Sequence, residues 1–506
     1  MHRRRDGRGG DLRGLPQLSS LDDGTTSAGR DERVAVALIT VIALVVRLAA
    51  LNQPIRYDEA ITWTFFSARS WSTIVSWYPF PNNHVLFSLL AKATGSLAPY
   101  QPWAFRLPAL AFGVAIVPLT WAVGRRLLDR RTALVGAGLA AGSMPLVLYS
   151  VNGRGHTVLV ALSLVLVLLS DRLRLRPDWW RGWIAWSVVA ALGLYALPVM
   201  IYPLGSVSTW IGLDLLRRER GRAARGIGAL IIAGCASLAL AYLLYLPIIR
   251  SAGLDAILGN KLAQPISFRF FLSLMPKFAY EIVSNWTLPL PWWCIPIVFG
   301  LGICGLFARE FRRTSMPRTS LVLATLLWSV TLFVVSHRQP FARFWLFMLP
   351  LFLLFVARGA VILLDRIGAR ARVSDVRFGV AAAVIVAAVA LLTHAAERTD
   401  DTGTFRRARE VAVVLAKEGL RAGDAVLAPI PNNAPLLYYF GELHLDAARL
   451  ETPPLETQRA FLVLNPQRGQ TLQWAVQRGT IDPRFFGEPV LVLDRPDAQV
   501  WRTARR

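Results

Sequence analysis

The stretch RRERGRAARGIGALIIAGCASLALAYLLYL, residues 217–246, sets five arginines against a run of twenty-one residues without a charge. At about 1.5 Å per residue, a helix of that length covers the roughly 30 Å of hydrocarbon in a bilayer. Arginines clustered at one end of such a run mark the cytoplasmic side, because short loops rich in Lys and Arg stay there. The unit recurs. Besides Arg217, Arg218, Arg220, Arg222 and Arg225, bursts fall at Arg125, Arg126, Arg130 and Arg131, and at Arg172, Arg174, Arg176 and Arg181. Two more fall at Arg309, Arg312, Arg313 and Arg318, and at Arg366, Arg370, Arg372 and Arg377.

If all five bursts face the cytoplasm, the helices must pair between them. Apolar runs at about 104–123, 132–150, 156–170, 182–196, 200–215, 226–246, 291–307, 319–336, 344–363 and 378–394 pair in that way. With a first helix at about 34–51 they predict eleven transmembrane spans and a cytoplasmic N-terminus. Residues 84–98 are short and carry Lys92 in their middle. Counting them as a span would put every burst outside, so they are read as a juxtamembrane or re-entrant helix on the outer side. Arg47, near the outer end of the first helix, is expected to snorkel toward the headgroups.

The whole composition agrees. Of 506 residues, 54% are hydrophobic and 17% charged, where soluble proteins carry about 25% charged residues. The net charge of +24 would suggest nucleic acid if it lay on one water-soluble surface. It does not: residues 1–33 and 395–506 each carry a net +1, and the excess lies among the apolar runs of 34–394. The expected partners are therefore membrane lipids and not nucleic acid.

Residues 1–33 are polar and read as a disordered cytoplasmic tail. Residues 34–394 form the transmembrane domain, whose first outer loop is 52–103. Residues 395–506 are balanced enough for a small extracytoplasmic α/β domain. Helices are expected there at Thr404–Leu420, Ala434–Phe440 and Thr471–Arg478, and strands at Ala425–Pro429, Phe461–Leu464 and Pro489–Asp494. Cys235, Cys294 and Cys304 lie in or beside apolar runs and suggest neither a metal site nor a disulfide framework. The fold class is an all-α polytopic membrane protein with a small C-terminal α/β domain, located in the cell membrane.

Unusual polar chemistry gathers in three outer loops. The first carries Arg56-Tyr57-Asp58-Glu59 and Pro81-Asn82-Asn83-His84. The second is the turn Tyr149-Ser150-Val151-Asn152-Gly153-Arg154-Gly155-His156. The third contains Arg338 and Arg343. Carboxylates are sparse here, so Asp58-Glu59 stands out, and a carboxylate at the interface suits a general base acting on a hydroxyl. Arg154, Arg338 and Arg343 suit an anionic headgroup, which they can hold by forked, charge-assisted hydrogen bonds. Trp63, Trp71, Trp77 and Tyr78 suit interface anchoring or stacking on sugar.

The order Tyr57-Asp58-Glu59, Pro81-Asn82-Asn83-His84, Phe105-Arg106-Leu107-Pro108-Ala109 and Gly124-Arg125-Arg126-Leu127 resembles the GT-C glycosyltransferases. More narrowly it is similar to their bacterial branch, related to protein O-mannosyltransferases and the lipid A aminoarabinose transferase. Tyr149-Ser150 with Arg154-Gly155, and Arg343-Phe344 with Leu349-Pro350, add to the resemblance, which covers roughly residues 34–365. It implies transfer of a sugar from a polyprenyl monophosphate to a glycan, glycolipid or protein acceptor on the outer face. It implies Asp58 as catalytic base with Glu59 in support. Arg343, Arg338, His84, Arg154 and Asn83 are the implied donor- and phosphate-binding residues, and Tyr57, Asn152 and Tyr149 shape the loops or the acceptor site. Many relatives carry an acid where this chain has Asn152, which puts a second carboxylate and any carboxylate-bound metal in doubt.

No cofactor is expected, the lipid-linked donor being a substrate. Phosphate leaves readily, so one base and a few cations meet the minimum. A single displacement then inverts the anomeric centre, whereas a retaining mechanism wants two carboxylates about 5 Å apart. Two other readings stay open: a flippase or transporter of lipid-linked sugar, and a non-catalytic envelope scaffold. The helices carry almost no acids for a proton relay, which weakens the transporter.

Overall fold

The computed structural model describes residues 19–259, 264–308, 320–338, 341–368, 374–450, 457–480, 482 and 484–506. Residues 1–18 and the burst members Arg309, Arg312, Arg313, Arg318, Arg370 and Arg372 lie outside them. The chain is mostly helical. It opens with α1 (Ser19–Ala49), then α2 (Tyr57–Ile61), a π-helical turn over Thr62–Ser67, α3 (Trp71–Ser76) and α4 (Val85–Gly95). The bundle continues with α5 (Pro102–Leu127), α6 (Arg130–Gly142), α7 (Met144–Ser150), α8 (His156–Leu175), α9 (Trp180–Ala196), α10 (Ile201–Leu215) and α11 (Arg220–Ala252). After α12 (Asp255–Leu258) come α13 (Phe268–Trp286), α14 (Ile295–Phe307), α15 (Leu321–Ser336), α16 (Leu349–Arg366) and α17 (Asp375–Leu392).

Each apolar run expected to span is helical. By length and composition α5, α11, Ala342–Arg366 and α17 are long and apolar enough to cross a membrane, and α6 with α7 makes a fifth candidate, bent by 56°. The other runs give shorter or more charged helices, so a count of eleven rests on the charge pattern. Helix α4, eleven residues long, covers only about 16 Å. Its Lys92 reaches back to the Arg69 carbonyl at 2.5 Å and lies over the Trp71 ring.

The bend between α6 and α7 has a chemical cause. Pro145 has no N–H for the Ala141 carbonyl, and Arg47 Nη1 donates to that oxygen instead, at 2.7 Å. Arg47 also donates to Ser150 Oγ at 2.9 Å and is fully buried. It does not snorkel, contrary to expectation, because the broken helix offers it a buried acceptor. On the other side α6 meets α17 backbone to backbone: a Cβ on Gly142 would lie 2.6 Å from the Ala387 nitrogen. Small residues allow this approach in membrane helices.

One further expectation needs correction. The chain is helical from Ser19, within the segment read as a disordered tail. The end of that segment is anchored, because Glu32 pairs with Arg125 at 2.7 Å and accepts from Trp121 Nε1 at 3.0 Å. The long loop 247–290 contains the amphipathic α13, which buries Phe271 and Phe278 against Phe333 and leaves Phe270, Leu272 and Tyr280 exposed.

Beyond α17 and the turn α18 (Ala395–Arg398) lies the α/β unit. It comprises α19 (Ala408–Lys417), β1 (Asp424–Leu427), α20 (Asn433–Glu442), β2 (Arg459–Leu464), α21 (Leu472–Gln477), β3 (Val490–Arg495) and β4 (Ala498–Ala504). The sheet order is β1-β2-β4-β3, with β1 and β2 parallel and the other pairs antiparallel. One face packs α19 and α20, and the other packs Ala475 and Trp474 of α21. The first core runs on without a break into Ile55, Ala60, Trp63, Phe87 and Phe105. The unit therefore docks on the first loop, at the end of the bundle away from the arginine bursts.

Candidate active site

Glu59 builds the site without facing it. Its Oε1 accepts from Arg106 Nε at 2.7 Å and from the Gly153 backbone N–H. Its Oε2 accepts from Arg106 Nη2 at 2.7 Å and from the Arg56 backbone N–H at 3.0 Å. A carboxylate has about four lone-pair sites, and all four are taken. Arg106 Nη1 in turn holds the carbonyls of Leu51 and Gln53 at 2.6 and 2.8 Å. Both side chains are fully buried. The expected catalytic support from Glu59 is thus corrected to a positioning role, since it ties the first loop, α5 and the second loop into one frame.

That frame turns Asp58 the other way, as adjacent residues on a helix must. Asp58 Oδ1 accepts from Asn82 Nδ2 at 3.2 Å. Its Oδ2 lies 3.3 Å from Arg343 Nη2 and 4.0 Å from Arg154 Nη2. Arg154 also donates to Thr62 Oγ1 at 3.2 Å and to the Asn82 carbonyl at 3.3 Å. Four buried atoms here have no hydrogen-bond partner: Asp58 Oδ2, Asn152 Oδ1, Arg154 Nε and Arg343 Nε. Asp58 Oδ2 is held by the two ion pairs alone, while the other three atoms stand ready for a ligand, since buried polar groups are rarely left so.

An unexpected acid completes the cluster. Asp401, from the junction before the α/β unit, lies 3.5 Å from Arg343 Nη1 and accepts from the Tyr149 hydroxyl. Its neighbour Thr402 accepts from Asn152 Nδ2 at 3.0 Å. Asp401 was invisible in the sequence because it sits among balanced, water-compatible residues. Asn82 was quoted in its motif without being given a role.

Of the expected residues, Asp58, Arg154, Arg343, Tyr149 and Asn152 come together. Tyr57, half-buried, borders the group, and its backbone N–H donates to Gly403 at 3.1 Å. Three expectations are corrected. Arg338 is half-buried and donates to the Leu258 carbonyl at 2.8 Å, which draws it toward α12. Asn83 is buried structural glue, bonded to the Ile74 and Trp77 carbonyls and to Ser88. His84 is no cation for a phosphate: burial, then Arg154, His156 and Arg343, hold its pKa well below the ordinary imidazole value. Its Nδ1 accepts from the Gly155 N–H at 2.9 Å. Trp63 and Tyr78 are buried, while Trp71 and Trp77 remain exposed. Among the described residues no three His, Cys, Asp or Glu side chains gather as a metal site requires, and both nearby aspartates face Arg343.

Fold and site together define a class: a helical membrane protein whose loops gather acids and arginines at one end, with a small sheet domain docked there. The sequence model of the family described as dolichyl-phosphate-mannose-protein mannosyltransferase matches residues 84–206. Among solved structures, ArnT from Cupriavidus metallidurans in the apo state superposes with a TM-score of 0.57 at 14% identity, covering 92% of this chain and 97% of that one. The same protein bound to undecaprenyl phosphate gives 0.57 at 13% identity, with the same coverage. The archaeal oligosaccharyltransferase AglB from Archaeoglobus fulgidus, in complex with an inhibitory peptide and a dolichol-phosphate, gives 0.47 at 12%, covering 84% of this chain and 65% of that one. No curated protein sequence matches significantly. Residues 84–206 thus resemble the protein mannosyltransferase family, and the fold as a whole resembles that of ArnT.

Proposed function

We propose that the protein is a membrane glycosyltransferase that moves a hexose or pentose from a polyprenyl-monophosphate donor to an acceptor hydroxyl. One observation carries this reading: the buried Asp58 Oδ2 lies 3.3 Å from Arg343 and 4.0 Å from Arg154, two cations whose Nε atoms have no hydrogen-bond partner. Base and phosphate-binding cations share one site. Asp58 Oδ2 takes the acceptor's proton as its oxygen attacks the anomeric carbon. The carbon–phosphate oxygen bond breaks on the opposite face, and the phosphate leaves with the electron pair toward Arg343 and Arg154. A single displacement of this kind inverts the anomeric configuration.

ArnT has been seen with undecaprenyl phosphate, which supports a donor of that chemistry here. The reaction is placed on the outer face of the cell membrane, with the N-terminus cytoplasmic and the α/β unit outside. The acceptor is a glycan, a glycolipid or a protein. No resident metal is required. Protein in lipid, given radiolabelled polyprenyl-phosphate sugar and candidate acceptors, should transfer label and should do so undiminished in EDTA. Asp58→Asn should reduce transfer by about 10²–10⁴-fold, the usual worth of general base catalysis, while donor still binds. Full activity in that variant would remove the base. A transporter would instead move the lipid between leaflets without acceptor and tolerate the substitution.

A further inference from the structure

The junction between α17 and the α/β unit is sewn into the site. Arg56, buried, donates from Nη1 to the carbonyls of Thr399 and Asp401 at 3.0 and 2.7 Å, and from Nη2 to that of Ala396. The backbone N–H groups of Tyr57 and Asp58 donate to the carbonyls of Gly403 and Thr402 at 3.1 and 3.3 Å. Gly403 has φ +74°, and a Cβ there would lie 2.7 Å from the Tyr57 Cβ. The segment that carries Asp401 is therefore fixed to the turn that carries Asp58, and the two carboxylates share one guanidinium. Arg343 turns Nη2 to Asp58 at 3.3 Å and Nη1 to Asp401 at 3.5 Å. Tyr149 keeps Asp401 in place by donating its hydroxyl.

We propose that Asp401 is a positioning residue that shares Arg343 with Asp58, holding the guanidinium between the two carboxylates until a lipid phosphate takes it. This rests on the transferase reading of the site. Without Asp401, Arg343 has only Asp58 as an ionic partner and closes on it, engaging the base. With one carboxylate fewer to neutralise it, the Arg343 guanidinium also attracts the lipid anion more strongly, since opposite charges a few ångström apart interact strongly in a buried site. Asp401 thus favours turnover at some expense of donor affinity. A purely structural residue would support both.

The test uses the full-length protein in nanodiscs with undecaprenyl phosphate as binding probe, together with recovery of the missing envelope glycan in a deletion strain at matched expression. Asp401→Asn should bind undecaprenyl phosphate at least threefold tighter and lose at least tenfold in transfer, and Asp401→Glu should recover part of the transfer. In an Arg343→Gln background the tightening should vanish. Weaker or unchanged lipid affinity in Asp401→Asn, or unchanged transfer, would overturn the proposal. Should Asp401→Asn fold poorly, Tyr149→Phe must show the same two changes in smaller measure, and its failure to do so counts equally against the proposal. A wild-type protein that ignores undecaprenyl phosphate would remove the donor reading and this one with it. Retained transfer in Asp58→Asn would remove the base alone, with the Asp401–Arg343 coupling in lipid affinity still decided by the double variant.

Discussion

His84 shows how one side chain is made to serve a cationic site without adding charge to it. Buried beside Arg154, with His156 and Arg343 near, it stays neutral well below the ordinary imidazole pKa and accepts the Gly155 N–H. In the unfolded chain the same ring titrates near ~6.5. Above that pH neither state binds the proton and His84 contributes no pH dependence. As pH falls below it, the unfolded chain takes up a proton that the folded chain refuses, so stability declines toward the folded-state pKa. The slope approaches about 1.4 kcal/mol per pH unit for one group. His84→Gln keeps an oxygen for Gly155 and removes the titration. Thermal unfolding in detergent between pH 7.5 and 5 should therefore show a flatter decline in the variant, and an undiminished slope would assign the acid loss to other groups.

At the scale of elements, the catalytic turn is held by others. Helix α2 has five residues, far too few to be stable alone, and its capping contact from Arg56 N–H to Glu59 works only because Arg106 neutralises that carboxylate. Arg106→Ala leaves Glu59 charged and buried, a change worth about 3–5 kcal/mol. Glu59→Gln should cost less, because the amide oxygen keeps part of the acceptor set. Both should impair transfer though neither side chain meets substrate, and thermal unfolding would show the order; equal stabilities would contradict the frame described for Glu59. This frame was only partly legible beforehand. The long apolar runs declared their helices by length alone, and β1 and β2, buried on both faces, declared themselves as short apolar runs. Strand β4 was passed over because Gln499, Trp501 and Arg502 alternate with the buried Ala498, Val500 and Thr503, and that alternation is diluted by its polar half. Helix α13 was missed because only Phe271 and Phe278 are buried along it. Asp58 was legible as half of the pair Asp58-Glu59 in outer loops otherwise sparse in carboxylates. Asp401 was not, since only the docking of the α/β unit brings it to Arg343.

For the whole molecule, the net charge of +24 is both a topological signal and a set of clamps. Arg131 and Arg174 from the bursts are buried and pair with Asp365 at 3.0 Å and Asp214 at 3.6 Å, tying α6 to α16 and α8 to α10. Arg172, Arg176, Arg181, Arg222 and Arg225 stay exposed, where an anionic leaflet would attract them. The exposed group lies at the end of the bundle opposite Asp58, so the orientation that suits the arginines also puts the site and the α/β unit outside. That coupling makes the orientation testable with two labels. After replacement of Cys235, Cys294 and Cys304, a cysteine is placed at Gly221, where a Cβ meets nothing within 4 Å, or at the exposed Gln467. A membrane-impermeant maleimide applied to intact cells should label Gln467→Cys and spare Gly221→Cys until the membrane is opened. Labelling of Gly221→Cys from outside would invert the topology and place Asp58, with its arginines, on the cytoplasmic side.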